Sequence, residues 1–185
     1  LASGYAAVGK PTVLPAYVRR GTLPDPGSYA TPAHSARHPL AVLGSAAVGI
    51  GLLYTVADED GKVRQAPLLL RYDEVGVPSL ALLAARHSLH LTTEDVRIQD
   101  APRALRLGGL DIATDHSAVM RPRVYASQEG APPFPTASFA TVLNGNAPAA
   151  LFKDKVVIVG ENSDTLLAPW IVPGGQSIHP VEWLA

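Results

Sequence analysis

Asp58-Glu59-Asp60-Gly61-Lys62-Val63-Arg64-Gln65-Ala66-Pro67-Leu68-Leu69-Leu70-Arg71-Tyr72 is the stretch on which the reading of the fold turns. Asp60-Gly61 is a strong reversing signal, because glycine reaches positive φ at little cost and aspartate tolerates the neighbouring conformation. Gly51 to Val56 before it and Val63 to Tyr72 after it are rich in residues that suit strands. The expectation is an antiparallel hairpin over about residues 50–72, closed by an acidic turn. Arg64 and Arg71 are seven apart, so on one regular strand they point to opposite faces, and at most one lines a given pocket. Arg64 has two readings: an anion-binding residue, or a partner for Asp58 across the turn.

Working outward, Lys155-Val156-Val157-Ile158-Val159-Gly160 is apolar without alternation. That pattern predicts a central strand over 155–160, buried on both faces of an α/β sheet. Ser79 is placed to cap a helix from Pro78-Ser79 to about His90, with Leu80, Leu83, Ala84 and His87 on one face. Short strands are expected at 96–98, 104–107 and 110–113, with Gly108-Gly109 turning between the last two. A further strand is expected at 119–125, and a second helix over about 136–143 stops at Asn144-Gly145. Toward the N-terminus, residues 1–8 read as a helical remnant and 11–18 as a strand. Pro39 opens a short buried helix from Leu40 to Ala47. The fold class is therefore α/β, a single domain over 1–185 with a mixed sheet and helices packed on it.

Bulk composition narrows the function. The chain has 185 residues, 47% of them hydrophobic, which is globular rather than disordered. A net charge of −1 supplies no field to attract nucleic acid. With no cysteine, disulfides, thiolate catalysis and cysteine-based zinc sites are excluded. Asp58, Asp60 and Gly61 resemble the opening of a calcium loop, but Leu69 stands where its closing glutamate belongs. Of the six histidines, His34 and His38 are four apart in a proline-broken loop and His87 and His90 three apart near a helix end, with no converging partner for metal or catalysis. No nucleophile elbow or zinc-protease motif is present. No catalytic residue, metal ligand or cofactor is assigned, and the chain does not read as an enzyme. Its best candidate contact surface is the turn beyond the expected central strand, Glu161, Asn162, Ser163 and Asp164, where open α/β sheets place ligands. Arg64 and His179 are expected nearby.

The order of these pieces resembles the second type of CHASE domain, an extracytoplasmic sensor of bacterial cyclases, histidine kinases and serine/threonine kinases. Four stretches carry the resemblance: Asp58-x-Asp60-Gly61-x-Val63-Arg64-x-x-Pro67-Leu68 through Tyr72; Val77-Pro78-Ser79-Leu80-Ala81-Leu82; Ser138-Phe139 with Val142-Leu143 and Leu151 to Gly160; and Pro173-Gly174 with Ile178-His179. The family also has a strand-helix-strand unit before the position of Leu1. The resemblance therefore implies about the C-terminal two-thirds of the family domain, and Gly175-Gln176-Ser177 departs from the family's valine-glutamate pair. It implies a sensory, ligand-binding module in the periplasmic or extracellular part of an inner-membrane protein. Its partners would be a small ligand or an envelope protein, flanking transmembrane helices and a cytoplasmic cyclase or kinase output domain, with a homodimer among the expected states. The alternative from another class is a structural dimerisation module with no ligand; a small hydrolase is the third.

Overall fold

Strand-forming residues realise their preference only where a ladder partner is within reach, and among the described residues half of the strand pairings join segments distant in sequence. The computed structural model describes residues 2–4, 22–24, 31–32, 39–72, 75–100, 103–125, 133–163 and 168–185. It divides into two compact units: Leu1–Asp58 with Arg64–Pro122, and Glu59–Val63 with Arg123–Ala185.

The first unit contains β1 (Ala2–Gly4), β2 (Leu23–Pro24), β3 (Thr31–Pro32), α1 (Ala41–Ala46), β4 (Ile50–Leu52), β5 (Ala66–Pro67), β6 (Leu69–Tyr72) and β7 (Val75–Pro78). It continues through α2 (Leu80–Ser88), β8 (Val96–Asp100), β9 (Arg103–Leu107), β10 (Leu110–Ala113) and β11 (Val119–Met120). Its four-stranded sheet runs β2-β7-β6-β3, with β6–β7 and β2–β7 antiparallel and β3–β6 parallel. This is the mixed α/β arrangement expected from the sequence.

β6 fixes the core. Successive strand residues face opposite sides, and here both sides are buried. Leu69 joins Leu23, Leu68, Leu82, Val96, Leu105 and Leu107, whereas Leu70 and Tyr72 join Ile50, Leu52 and Val77. Leu69 is 1% exposed and Leu70 2%.

Where chemistry is local, the elements fall where the sequence puts them. Ser79 caps α2, its Oγ accepting from the Leu82 N–H at 3.1 Å. Gly108, at φ +58°, and Gly109 turn β9 into β10 with Leu107 opposite Leu110, and β8 completes the antiparallel meander.

Where partner choice decides, the structure corrects the sequence. The hairpin over 50–72 does not form as one ladder. β4 pairs in parallel with β1 and bridges Ser79 through Leu52. β5 pairs with β11, and β6 pairs with β7. Pro67 has no N–H to give a ladder, and the chain bends at Leu68, whose N–H donates to the Ala118 carbonyl at 2.9 Å while its own carbonyl accepts from Ser79. Arg64 and Arg71 therefore do not share a regular strand. Ala2–Gly4 is a strand rather than a helical remnant. The strand expected at 119–125 shrinks to β11, which pairs with the two-residue β5. The helix expected to be buried, α1, leaves Leu40, Val42 and Leu43 exposed and buries Gly44 alone. On α2 the covered face is Leu82, Leu83 and Arg86; His87 is exposed. The strand expected at 11–18 lies outside the described residues.

The second unit contains α3 (Phe139–Leu143), a short 3-10 turn at Ala149–Leu151, β12 (Trp170–Ile171), β13 (Ser177–Ile178) and α4 (Pro180–Leu184). Ser138 caps α3, and Gly145 follows it at φ +71°. β12 and β13 form a hairpin whose turn uses positive φ at Gly174 and Gly175. The acidic turn contributes here: Lys62 bridges Ile171, and the Val63 N–H donates to the Ile171 carbonyl at 2.7 Å. Val63, Val172 and Ile178 are buried, and Trp170 meets Trp183 edge to face with ring centres 6.1 Å apart.

The expected buried central strand is the largest correction. Residues 155–160 belong to no strand, and Val156, Val157 and Val159 are 57%, 42% and 74% exposed. Composition specifies what the segment can bury, but burial needs a neighbouring ladder, and among the described residues none is offered to it.

Gly51 shows how tightly β4 meets α2. A Cβ there would lie 2.6 Å from the Leu80 nitrogen and 2.9 Å from the Ser79 carbonyl carbon, backbone atoms that cannot turn aside. Gly51→Ala is expected to lower stability by about 1–3 kcal/mol in urea denaturation. Gly109→Ala meets nothing within 4 Å and is expected to leave the midpoint unchanged.

Candidate functional site

Arg64, Glu161, Ser163 and His179 are each held by local hydrogen bonds. Arg64, in the first unit, is engaged by Asp58: its Nη1 donates to Asp58 Oδ2 at 2.7 Å, and Gln65 Nε2 donates to Asp58 Oδ1 at 3.2 Å. Of its two readings, the structure shows the pairing across the turn. The turn itself is tightened by Asp60, whose Oδ1 accepts from the Lys62 N–H at 3.2 Å.

Glu161, Asn162, Ser163 and His179 all belong to the second unit. Glu161 Oε1 accepts from the Ser163 N–H at 2.9 Å, folding the loop onto itself, while Glu161 and Asn162 are exposed. Asp164 lies outside the described residues. His179 is the N-cap residue of α4. Pro180 occupies the first turn, where its missing N–H is no loss, and Glu182 accepts from the His179 N–H at 2.7 Å. The His179 ring is half-buried, with Nδ1 inside.

One contact brings loop and helix together. A Cβ on Gly160 would lie 2.7 Å from both Cβ and Cγ2 of Val181, so the chain just before Glu161 is pressed against the first turn of α4. The polar loop 161–163 thus starts beside a helix whose cap is His179. Glu161, Asn162, Ser163 and His179 carry carboxylate, amide, hydroxyl and imidazole groups, side-chain types that hydrogen-bond small polar molecules. No group of three or more potential metal ligands exists among the described residues.

Arg86 is the buried charge that spacing does not single out. It is 6% exposed on α2, its Nη1 donates to Thr93 Oγ1 at 3.0 Å, and burial pushes its guanidinium below the ordinary range. A polar residue within an apolar helical stripe is the signal that would have found it. Its position inside the first unit marks it as packing rather than as a contact surface.

The match to known families settles the class: the CHASE2 domain matches residues 6–185. The chain belongs to the CHASE2 domain family. CHASE2 domains are extracytoplasmic sensory domains of signalling receptors, so this chain is a sensory rather than a catalytic module. No curated protein and no solved structure matches the chain. Within this CHASE2 domain, no described helix is long and apolar enough to cross a membrane.

Electrostatics at two local sites can be measured. Coupling between Arg64 and Asp58 in a double-mutant cycle is expected at about 0.5–1 kcal/mol, as for a half-exposed pair. Asp95 accepts from the Thr92 N–H at 2.7 Å and from its hydroxyl at 2.8 Å, and these bonds hold its carboxyl below the usual range. A depressed folded-state pKa stabilises above the unfolded value, and that gain is lost as pH falls through the folded one. Asp95→Asn is therefore expected to destabilise the domain at neutral pH, and the difference from the parent should disappear in acid melting curves.

Proposed function

We propose that this CHASE2 domain is the ligand-binding part of a transmembrane receptor, and that it passes a conformational bias to a cytoplasmic cyclase or kinase through flanking membrane helices. The supporting observation is the packing of Gly160 on Val181, which starts the polar loop Glu161–Ser163 beside α4. A small polar ligand or the exposed edge of an envelope protein would engage Glu161, Asn162, Ser163 and the His179 cap. Asp164 continues the same loop in sequence. Arg64 contributes by holding the turn through Asp58 rather than by touching the ligand. A ligand that prefers one setting of the loop over another shifts the population toward it, and α4 moves with the loop because Val181 is in its way.

The domain carries its own reporter. Both tryptophans lie in the second unit and touch each other, and the Trp183 backbone N–H donates to the His179 carbonyl at 3.1 Å. Screening a metabolite panel should yield a compound that changes tryptophan emission and raises apparent stability by about 2.7 kcal/mol at a hundredfold over its dissociation constant. Asn162→Ala and His179→Ala should each weaken that response without changing the far-ultraviolet dichroism. A panel and an envelope-protein capture that both come up empty would sink the reading.

A further inference from the structure

Val156-Val157-Ile158-Val159 is a run of four β-branched residues with high strand preference. Yet Val156, Val157 and Val159 stand 57%, 42% and 74% exposed, and among the described residues no backbone hydrogen bond holds residues 156–160. An uncovered segment of this kind is a template for a further strand. One side is already limited at its end, where Gly160 presses on Val181.

The charges that flank the run say which strand fits. Lys155 precedes it and Glu161 follows it, both exposed. If a second copy pairs antiparallel about Ile158, Lys155 of one copy stands opposite Glu161 of the other, twice over by symmetry. Val156 then faces Gly160, and Val157 faces Val159. One step further out, Asp154 faces Asn162 and Lys153 faces Ser163, so no like charges meet. A parallel pairing would set lysine on lysine and glutamate on glutamate, which is unfavourable. Among the described residues, Glu161 is engaged through Oε1, which accepts from the Ser163 N–H.

We infer that the segment Lys155–Glu161 is a self-complementary edge through which two copies of this domain associate as an antiparallel β-pair. A single pair of strands is small beside the roughly 1,200–2,000 Å² of a stable interface, so the association is weak and concentration-dependent. Such a contact suits a module whose pairing is meant to respond to a signal rather than to be permanent.

Sedimentation of the parent chain over a dilution series, without additives, tests this. The expected result is a monomer that dimerises as concentration rises, with amide exchange at residues 156–160 slowing in step. Lys155→Glu alone, or Glu161→Lys alone, makes every facing pair in a homodimer like-charged and should weaken association roughly tenfold. An equimolar mixture of these two variants restores both attractive pairs and should associate as the parent does. That recovery cannot come from a folding defect. A parent that stays monomeric throughout, single variants that associate like the parent, or a mixture that does not recover would each overturn the inference. So would slow exchange at residues 156–160 already in the monomer, which would mean that the edge is covered within one chain. Because tryptophan response and sedimentation are separate measurements, loss of the dimer leaves the ligand-binding reading standing, and the converse holds too.

Discussion

Burial of β6 on both of its faces is the constraint on which the first unit depends. A strand alternates its side chains, so Leu69 and Leu70 cannot enter the same cluster, and each needs its own set of partners. Meeting both demands places the β8–β9–β10 meander and α2 against one cluster, and β4 and β7 against the other. The exit from β7 then has little freedom. Pro78 ends the strand, Ser79 caps α2, and β4 must come close enough to the start of α2 that only a glycine fits at position 51. Reducing the volume at Leu69 would open a cavity at this junction, the kind of change whose cost grows with the space left behind.

The sequence was legible where a few adjacent residues decide the outcome. Ser79 and Ser138 cap their helices because a side-chain oxygen needs only an amide three residues away. Gly108-Gly109 and Asn144-Gly145 turn or stop the chain because positive φ is a property of the residue itself. Pairing is another matter. Nothing local to Ala2–Gly4 names Ile50–Leu52 as its parallel partner, and nothing in Ala66–Pro67 names Val119–Met120. The same limit explains the run 155–160: apolar composition marks it as strand material, while its exposure depends on what stands beside it. Arg86 escaped for the opposite reason, since its charge masks a position that the helix turns inward.

The residues that carry the family likeness serve the fold. Asp58 ties down Arg64, Asp60 and Gly61 make the turn, Ser79 caps, Gly174 bends the β12–β13 turn, and His179 with Pro180 opens α4. None of these jobs selects a signal. Positions that hold an architecture leave an exposed loop free to differ, because function resides in the site rather than in the fold that carries it. His179 was expected near the loop from the supposed topology. What the structure adds is a contact between the two elements, the close fit of Gly160 on Val181, which no motif encodes.

The flanking charges of the valine run then gain a double meaning. Charged residues beside an exposed strand-forming segment hold off indiscriminate pairing, because most registers and orientations with another edge bring like charges together or strand them against apolar neighbours. Lys155 and Glu161 have opposite signs and stand at equal distances from Ile158, so the same protection leaves one arrangement favoured, the antiparallel one with two-fold symmetry. Specificity of this kind costs affinity, since charges at the ends replace apolar area in the contact. For a sensory domain that trade is useful: an association near the balance point can be tipped by a modest differential free energy, whereas a large apolar interface cannot.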